Sequence, residues 1–257
     1  MKYYNIEKFD NTGLVKTLFV PKDQGRWRIY SYDIEDNMHD LVHYNDIGKS
    51  FGITADSMVR AMQEHTDNIL AVTSADKGLG VVKPEPSISY DGFVTNEKGI
   101  MLLTVEADCT PVFILDPINK AIGMVHSGWR GTVKKVACKA LDLMKEKYGT
   151  DKEKVLIHFG PAICGKCYEV GMELIDEFKK ILKCEEVHKV FKPITDKPEK
   201  YTLDVTESIK LTLLDYGVPE KNITRTEYCT YHDNIFNSWR REHDKTKQML
   251  TGIMLVS

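Results

Sequence analysis

Short, nearly continuous apolar runs recur along this chain, and such runs are typical of strands that are buried on both faces. The clearest three cover residues 100–105, 112–116 and 121–125. Shorter runs predict further strands at residues 14–20, 69–73, 93–95, 155–159, 223–227 and 250–255. The pattern therefore predicts a protein with several strands, of which at least three lie inside a sheet.

Apolar positions at three- and four-residue spacing predict helices between these strands. The segments are residues 40–51, 132–148, 172–184 and 203–216, with Asp204 as the N-cap of the last. Thr54 or Asp56 is expected to cap a further helix through Met58 and Met62. No linker rich in glycine, serine or proline divides the chain. We therefore expect one α/β (α+β) domain spanning residues 1–257, with mixed β-sheets flanked by helices.

Composition narrows the class of protein further. The net charge of −3 and the isoelectric point near 6.3 argue against a nucleic-acid binder. No apolar run approaches the ~20 residues that span a bilayer, and the N-terminus lacks a signal-peptide pattern. We expect a cytoplasmic protein without a membrane partner. Its six cysteines are too sparse for a disulfide scaffold and are interpreted as free thiols, some of them reactive or metal-binding.

Cys109 and His126 are the strongest candidate pair for chemistry. Each stands at the end of a predicted buried strand, next to a turn that contains proline or glycine. A thiol beside an imidazole suits either a metal site or a cysteine nucleophile with its base, and the pattern alone leaves both open. Arg130 follows where a helix is about to start, so an anion is expected there unless Trp129 and Arg130 only pack the turn.

Other candidate features are weaker. Cys164 and Cys167 form a C-x-x-C pair, which is either a redox couple or half of a zinc site, and no second C-x-x-C exists to complete such a site. Residues 185–200 are charged and interrupted by proline, which is typical of a surface excursion or a partner loop. Arg26 and Arg28 are further candidates for contact with an anionic ligand. Motifs for nucleotide motors, dinucleotide binding, zincins and α/β-hydrolases are missing from the sequence.

Several segments taken together closely resemble one family. It is the family long labelled multicopper polyphenol oxidase (laccase), or YlmD/YfiH-like, whose members are now described as purine nucleoside phosphorylases. The resemblance runs from about residue 14 to the C-terminus. It rests on Asp91-Gly92-Phe93-Val94-Thr95, Ala107-Asp108-Cys109-Thr110-Pro111-Val112, Val125-His126-Ser127-Gly128-Trp129-Arg130-Gly131-Thr132, Gly160-Pro161-Ala162-Ile163 and Cys167-Tyr168-Glu169-Val170-Gly171.

The resemblance implies a fold similar to that of deamidating toxins and a single zinc held by His65, Cys109 and His126. His65 fits the place of a histidine that the family carries ahead of a strand, although Thr66 replaces the usual glycine after it. The family's N-terminal Arg-x-Gly-Gly-Val-Ser loop is not recognisable around residues 32–44. Residues 236–241 resemble the family's Phe-Ser-Tyr-Arg-Arg, but residues 244–247 lack the glycine and arginine that normally follow.

The implied activity is phosphorolysis of adenosine, inosine or S-methyl-5′-thioadenosine, together with adenosine deamination. Cys109, His126, Asp108 and Arg130 are the expected catalytic residues, with Asp108 orienting a partner beside the metal. Arg130, Arg240 and Arg241 are the expected phosphate ligands, and purine nucleoside and phosphate are the expected partners of a monomer or homodimer.

Three other functions remain as alternatives. They are a cysteine hydrolase that uses Cys109 and His126, a copper-dependent polyphenol oxidase, and an inactive zinc-binding regulatory protein. Copper is the weaker metal, because multicopper sites need H-x-H pairs and this chain has none.

Overall fold

The computed structural model describes residues 1–25, 27, 34–244 and 246–257, and it describes the backbone alone for residues 34–40. Arg26 and Arg28 lie outside the described residues. The strands of the described part are β1 (Val15–Phe19), β2 (Met58–Val59), β3 (Ile69–Ala71), β4 (Gly92–Thr95), β5 (Met101–Glu106), β6 (Thr110–Asp116), β7 (Ala121–Ser127), β8 (Leu156–Phe159), β9 (Glu169–Gly171), β10 (Phe191–Pro193), β11 (Lys200–Leu203), β12 (Ile223–Arg225) and β13 (Met249–Leu255). The helices are α1 (Glu7–Asp10), α2 (Ile34–Lys49), α3 (Trp129–Val133), α4 (Val136–Tyr148), α5 (Glu173–Phe178), α6 (Cys184–Val190), α7 (Val205–Tyr216) and α8 (Trp239–Glu242).

The strands form two large mixed sheets and one small one. The larger sheet has the order β12-β8-β6-β7-β4-β3, the second has the order β1-β13-β5-β2, and a small sheet has the order β10-β11-β9. Both large sheets combine antiparallel pairs with parallel edge strands. This confirms the expected mixed α/β architecture.

Alternate side chains of the central strands enter different cores, which explains why the apolar runs are continuous. In β6, Phe113 packs between the two large sheets, whereas its neighbour Ile114 packs against α4 and α7. In β5, Leu102 lies between the sheets, whereas Leu103 faces a third core that includes Tyr44 of α2. The molecule is therefore layered as helix, sheet, sheet, helix, and successive residues of a strand are buried on opposite faces.

Four of the predicted helices differ from the structure. The helix predicted over residues 40–51 is α2, which begins six residues earlier, at Ile34, and ends at Lys49. The segment after Thr54 forms a short 3-10 turn (Ala55–Ser57) followed by β2, so the helix predicted there is wrong. The helix predicted over residues 132–148 begins earlier and is divided, because Lys135 adopts a left-handed conformation with φ +57° between α3 and α4. The helix predicted over residues 172–184 ends at Phe178, in α5.

Residues 185–200, which the sequence predicts to be a surface excursion or a partner loop, contain regular secondary structure. They include most of α6, all of β10 and the first residue of β11. Val187, Val190 and Phe191 are buried in the core beside α7. The charged side chains of this segment are exposed or half-buried. Among the described residues, no helix is both long and apolar enough to cross a membrane.

Candidate metal centre

β6 and β7 lie in the middle of the larger sheet, and they place Cys109 and His126 at the same end of these two strands. β6 begins directly after Cys109, β7 ends one residue after His126, and the antiparallel register pairs Pro111 with His126. His65 lies in the segment between β2 and β3. The Cys109 Sγ and His65 Nε2 atoms are 3.7 Å apart, and the rings of His65 and His126 have centroids 5.0 Å apart. The ligand atoms of all three side chains lie within 4.8 Å of one another.

A buried carboxylate holds both histidines in place. Asp91 Oδ1 lies 2.7 Å from His126 Nδ1 and also accepts a hydrogen bond from the His65 backbone N–H at 3.1 Å. Asp91 Oδ2 accepts two further bonds from Thr66. Because a carboxylate accepts from Nδ1–H, Nε2 of His126 is left as the atom that can bind a metal. In the sequence Asp91 stands out only as the first residue of one motif shared with the family, and that motif does not reveal this role.

The backbone of Gly128 approaches the cluster so closely that a side chain would not fit. A Cβ at this position would lie 2.7 Å from Cys109 Sγ and 2.8 Å from His65 Cδ2. Both distances are shorter than a carbon contact allows, so glycine is required for steric reasons. His65 itself has a φ of +58° and thus occupies the left-handed region that non-glycine residues seldom adopt.

Burial and charge attraction shape the protonation of the cluster. Burial raises the pKa of the Cys109 thiol, but the attraction and hydrogen bonds of His126 and His65 outweigh it and lower that pKa to about 6. Burial likewise opposes a charge on His126, but Cys109 and Asp91 together raise its pKa to about 10. At neutral pH the favoured state is therefore a Cys109 thiolate beside a His126 imidazolium. A bound cation would take the place of the proton on His126 Nε2.

The donor set fits a transition metal. One thiolate and two imidazoles match the ligands that zinc uses in sites with a fourth, open position. The same three donors also occur in single copper sites. A multicopper centre needs more histidines than the described residues bring to this position, because only His65 and His126 join the group.

A cavity of about 480 Å³ opens beside these ligands, a size typical of small-molecule sites. Its walls include three arginines, Arg60, Arg130 and Arg240, and three aromatic side chains, those of Trp129, Tyr168 and Trp239. Arg60 is buried and forms an ion pair with Glu85. Arg130 is exposed, its guanidinium lies 4.2 Å from the Trp129 ring centroid, and among the described residues no carboxylate pairs with it.

Asp108 lies at the edge of this cavity and ties two loops together. Its Oδ1 accepts from the Thr230 hydroxyl at 2.6 Å, and its Oδ2 accepts from the backbone N–H of Arg240 at 2.7 Å. The guanidinium of Arg240 donates to the Glu169 carbonyl and lies 4.9 Å from the Tyr168 ring centroid. Asp108 therefore fixes the start of α8, the helix that contains Arg240.

Arg241 occupies a different environment from the other candidate arginines. Its guanidinium donates to the carbonyls of Thr230, Tyr231 and Phe236 and pairs with Glu242. It is not among the residues that line the cavity. The structure thus brings His65, Cys109, Asp108, His126, Arg130 and Arg240 together around one cavity and leaves Arg241 outside it.

Fold and site together define a class: a mixed α/β protein with a His₂Cys group at the mouth of a ligand-sized cavity. The chain belongs to the family described as "multi-copper polyphenol oxidoreductase laccase", whose family model matches residues 31–256. This confirms the family that the sequence motifs indicated.

Named relatives and solved structures agree with this membership. The chain is 30% identical to purine nucleoside phosphorylase YlmD of Bacillus subtilis over 228 residues, which is 86% of this chain and 79% of that protein. It is 28% identical to adenosine deaminase RL5 from an unknown prokaryotic organism, over 80% of this chain and 78% of that protein. The crystal structure of the hypothetical protein YfiH from Bacillus licheniformis superposes with a TM-score of 0.88 at 26% identity, covering 98% of this chain and 96% of that one.

Proposed function

We propose that this protein is a zinc-dependent purine nucleoside phosphorylase, with adenosine, inosine and S-methyl-5′-thioadenosine as candidate substrates. The observation that supports this most strongly is the His65, Cys109 and His126 group at the edge of a cavity that also contains Arg130 and Arg240. The names of the relatives, among them purine nucleoside phosphorylase YlmD, point the same way.

The cavity offers separate partners for the two substrates. The aromatic rings of Trp129, Tyr168 and Trp239 supply apolar surface of the kind on which a purine stacks. Arg130 and Arg240 supply guanidinium groups that bind phosphate oxygens in bidentate fashion and offset negative charge in the transition state. Burial raises the pKa of Tyr168 to about 12, so its hydroxyl stays protonated and can donate a hydrogen bond.

The remaining site residues would position these groups. We assign Cys109, His126 and His65 to zinc, which when bound supplies a Lewis acid at the cavity mouth. Asp108 keeps the backbone of Arg240 beside the cavity. Arg241 was expected among the phosphate ligands, but its hydrogen bonds to three carbonyls lead us to assign it to the support of that loop instead.

The test is phosphate-dependent release of free purine from adenosine, with zinc content measured on the same sample. We expect purine release that requires phosphate and falls together with zinc content when His126 is replaced by alanine. Full activity in a zinc-free His126→Ala protein would refute the proposal. Inosine and S-methyl-5′-thioadenosine in the same assay would rank the substrates.

Adenosine deamination is a second candidate, supported by the similarity to adenosine deaminase RL5. A zinc held by His65, Cys109 and His126 would supply a Lewis acid that activates water for attack on a purine carbon. Deamination releases ammonia from adenosine without phosphate, whereas phosphorolysis needs phosphate and frees the base. Assays with and without phosphate therefore separate the two reactions.

The lowered pKa of Cys109 also suits a nucleophilic cysteine, so a cysteine hydrolase is a competing function. A metal-free protein that is alkylated at Cys109 and traps an acyl intermediate would support the hydrolase. Stoichiometric copper with phenol oxidation would support a polyphenol oxidase. An inactive zinc-binding protein would bind zinc and turn over none of the three nucleosides.

A further inference from the structure

A second group of metal-ligand side chains lies outside the cavity. Cys164, Cys167, Cys229 and His232 place their ligand atoms within 4.8 Å of one another. The sequence supplies them as two pairs of the same spacing, Cys164-x-x-Cys167 and Cys229-x-x-His232. The sequence has no second C-x-x-C, but the C-x-x-H pair supplies the two further donor side chains that a four-ligand site needs.

The backbone holds the two pairs against each other. Ala162 and Cys229 form an isolated β-bridge, and the Cys164 backbone N–H donates to Cys229 Sγ at 3.3 Å. Across the group, Cys167 Sγ lies 3.5 Å from His232 Nδ1, although these residues are 65 positions apart in the chain. Each pair thus lies in a short loop, and the fold brings the two loops together.

We propose that these four side chains form a structural zinc site, separate from the centre at Cys109. Three thiolates and one imidazole are a common donor set for structural zinc, and x₂ spacing within each pair is typical of such sites. In a tetrahedral site with Zn–S bonds of about 2.3 Å, the sulfur atoms lie roughly 3.8 Å apart. The four ligand atoms here lie within 4.8 Å of one another, which is close enough for this arrangement. Four protein ligands close the coordination sphere, so this site would have no position for a substrate.

The zinc site would stabilise the loops that hold Asp108 at the edge of the cavity. Thr230, next to Cys229, donates its hydroxyl to Asp108, and Ile163, next to Cys164, donates its backbone N–H to the Asp108 carbonyl. The carbonyls of Thr230 and Tyr231 also accept from Arg241. A zinc ion that joins the two pairs would therefore fix both loops that hold Asp108, the residue before Cys109 in the chain.

A redox couple is the other chemistry open to a C-x-x-C pair. A reactive redox thiol lies in a partially exposed, electropositive environment, whereas a buried cysteine is inert. Here Cys229 is buried and both Cys229 and His232 lie within ligand distance of the pair. The arrangement thus favours metal binding over disulfide exchange.

The test uses the full chain with the first site removed by Cys109→Ala and His126→Ala, purified with a thiol reductant and then analysed for metal. We expect one zinc per chain to remain, and none after Cys229→Ser is added. Cys184→Ser is the matched control, because Cys184 is an exposed thiol outside both groups, and it should leave one zinc.

Because Cys229→Ser can also impair folding, X-ray absorption at the zinc edge of the Cys109→Ala/His126→Ala protein provides a second measurement. We expect three sulfur neighbours at about 2.3 Å and one nitrogen at about 2.0 Å. A zinc-free protein, a coordination sphere without sulfur, or a Cys164–Cys167 disulfide in the reduced preparation would each overturn the proposal. These measurements do not depend on nucleoside turnover. They therefore test the structural zinc site independently of the proposed function.

Discussion

At the scale of single residues, Asp91 has the most consequence for the metal centre. Its Oδ1 contacts His126 Nδ1 and the His65 backbone, so one buried carboxylate orients two of the three candidate metal ligands. A carboxylate behind a ligating histidine fixes the ring and raises its basicity, and the loss of such a partner lowers metal affinity about 10- to 100-fold.

We therefore expect Asp91→Asn to weaken zinc binding by about 10- to 100-fold and to reduce purine release in parallel at limiting zinc. Competition with a chromophoric chelator measures the affinity. Asp116→Asn is the matched control, because Asp116 is equally buried but caps the turn at the far end of β6. Equal zinc affinities of Asp91→Asn and the unaltered protein would contradict this role.

A second prediction concerns the space at Gly128. A methyl group there would lie 2.7 Å from Cys109 Sγ, so Gly128→Ala must displace Cys109 or His65. We expect a loss of zinc affinity of at least about 100-fold, beyond the effect of losing a supporting contact. Gly131→Ala is the control, because its nearest neighbour would be 3.2 Å away and is a valine methyl. Equal zinc affinity in both variants would contradict the steric requirement.

The sequence predicted part of this site for a clear physical reason. Cys109 and His126 stand at the ends of continuous apolar runs, and such runs pair inside a sheet. Asp91 was missed because its role depends on the pairing of β4 with β7, which places Gly92 opposite Val125. Only the likeness to the family, not any local pattern, distinguished His65 from the other seven histidines as a candidate metal ligand.

At the scale of elements, the central strands were predicted more accurately than the helices, whereas the short strands β2, β9, β10 and β11 were not predicted. β5, β6 and β7 differ from their predicted bounds by one or two residues, because burial on both faces leaves a strong apolar signal. Helix ends depend on single conformations that periodicity does not encode, such as the left-handed Lys135 between α3 and α4. The end of α7 was predictable, because Gly217 is left-handed there with φ +107°.

The start of α7 allows a quantitative test. The side chain of Asp204 accepts from the Glu207 backbone N–H at 2.8 Å and so satisfies one of the free amides of the first turn. We expect Asp204→Ala to lower the free energy of unfolding by about 1 kcal/mol, measured by urea denaturation. Asp215→Ala near the other end of the same helix is the control, since its half-exposed carboxylate makes a surface ion pair with Lys183, and such pairs contribute little to stability. A loss in the control equal to that in Asp204→Ala would show that the cap is not the cause.

At the scale of the whole molecule, the metal-ligand groups join segments that are far apart in sequence. His65 meets Cys109 across 44 positions, and Cys167 meets His232 across 65. The C-x-x-H spacing of Cys229 and His232 is a local signal, but only the fold shows that this pair lies against Cys164 and Cys167. Both groups also meet at Asp108, whose backbone and side chain bind the loops of Cys164 and Cys229.

The stability of the whole fold is expected to depend on pH through His158. This side chain lies in β8, donates to or accepts from Thr224 Oγ1 at 2.9 Å, and packs against the rings of Phe9 and Phe113. Burial, aided by the charge of Lys8, lowers its pKa from an ordinary 6.5 to about 4. Between those two pH values the unfolded chain binds a proton that the folded chain does not, so stability falls as the pH is lowered from 6.5 towards 4.

The expected loss from this one group is about 3 kcal/mol across that interval, since one pKa unit corresponds to about 1.4 kcal/mol. Urea unfolding of the unaltered protein and of His158→Gln, at several pH values over this range, isolates the effect. Glutamine keeps a polar partner for Thr224 but does not titrate, and every other group is shared by the two proteins. We therefore expect the stability difference between the two proteins to shift in favour of His158→Gln as the pH falls. Parallel stability curves would show that His158 titrates alike in the folded and unfolded chain.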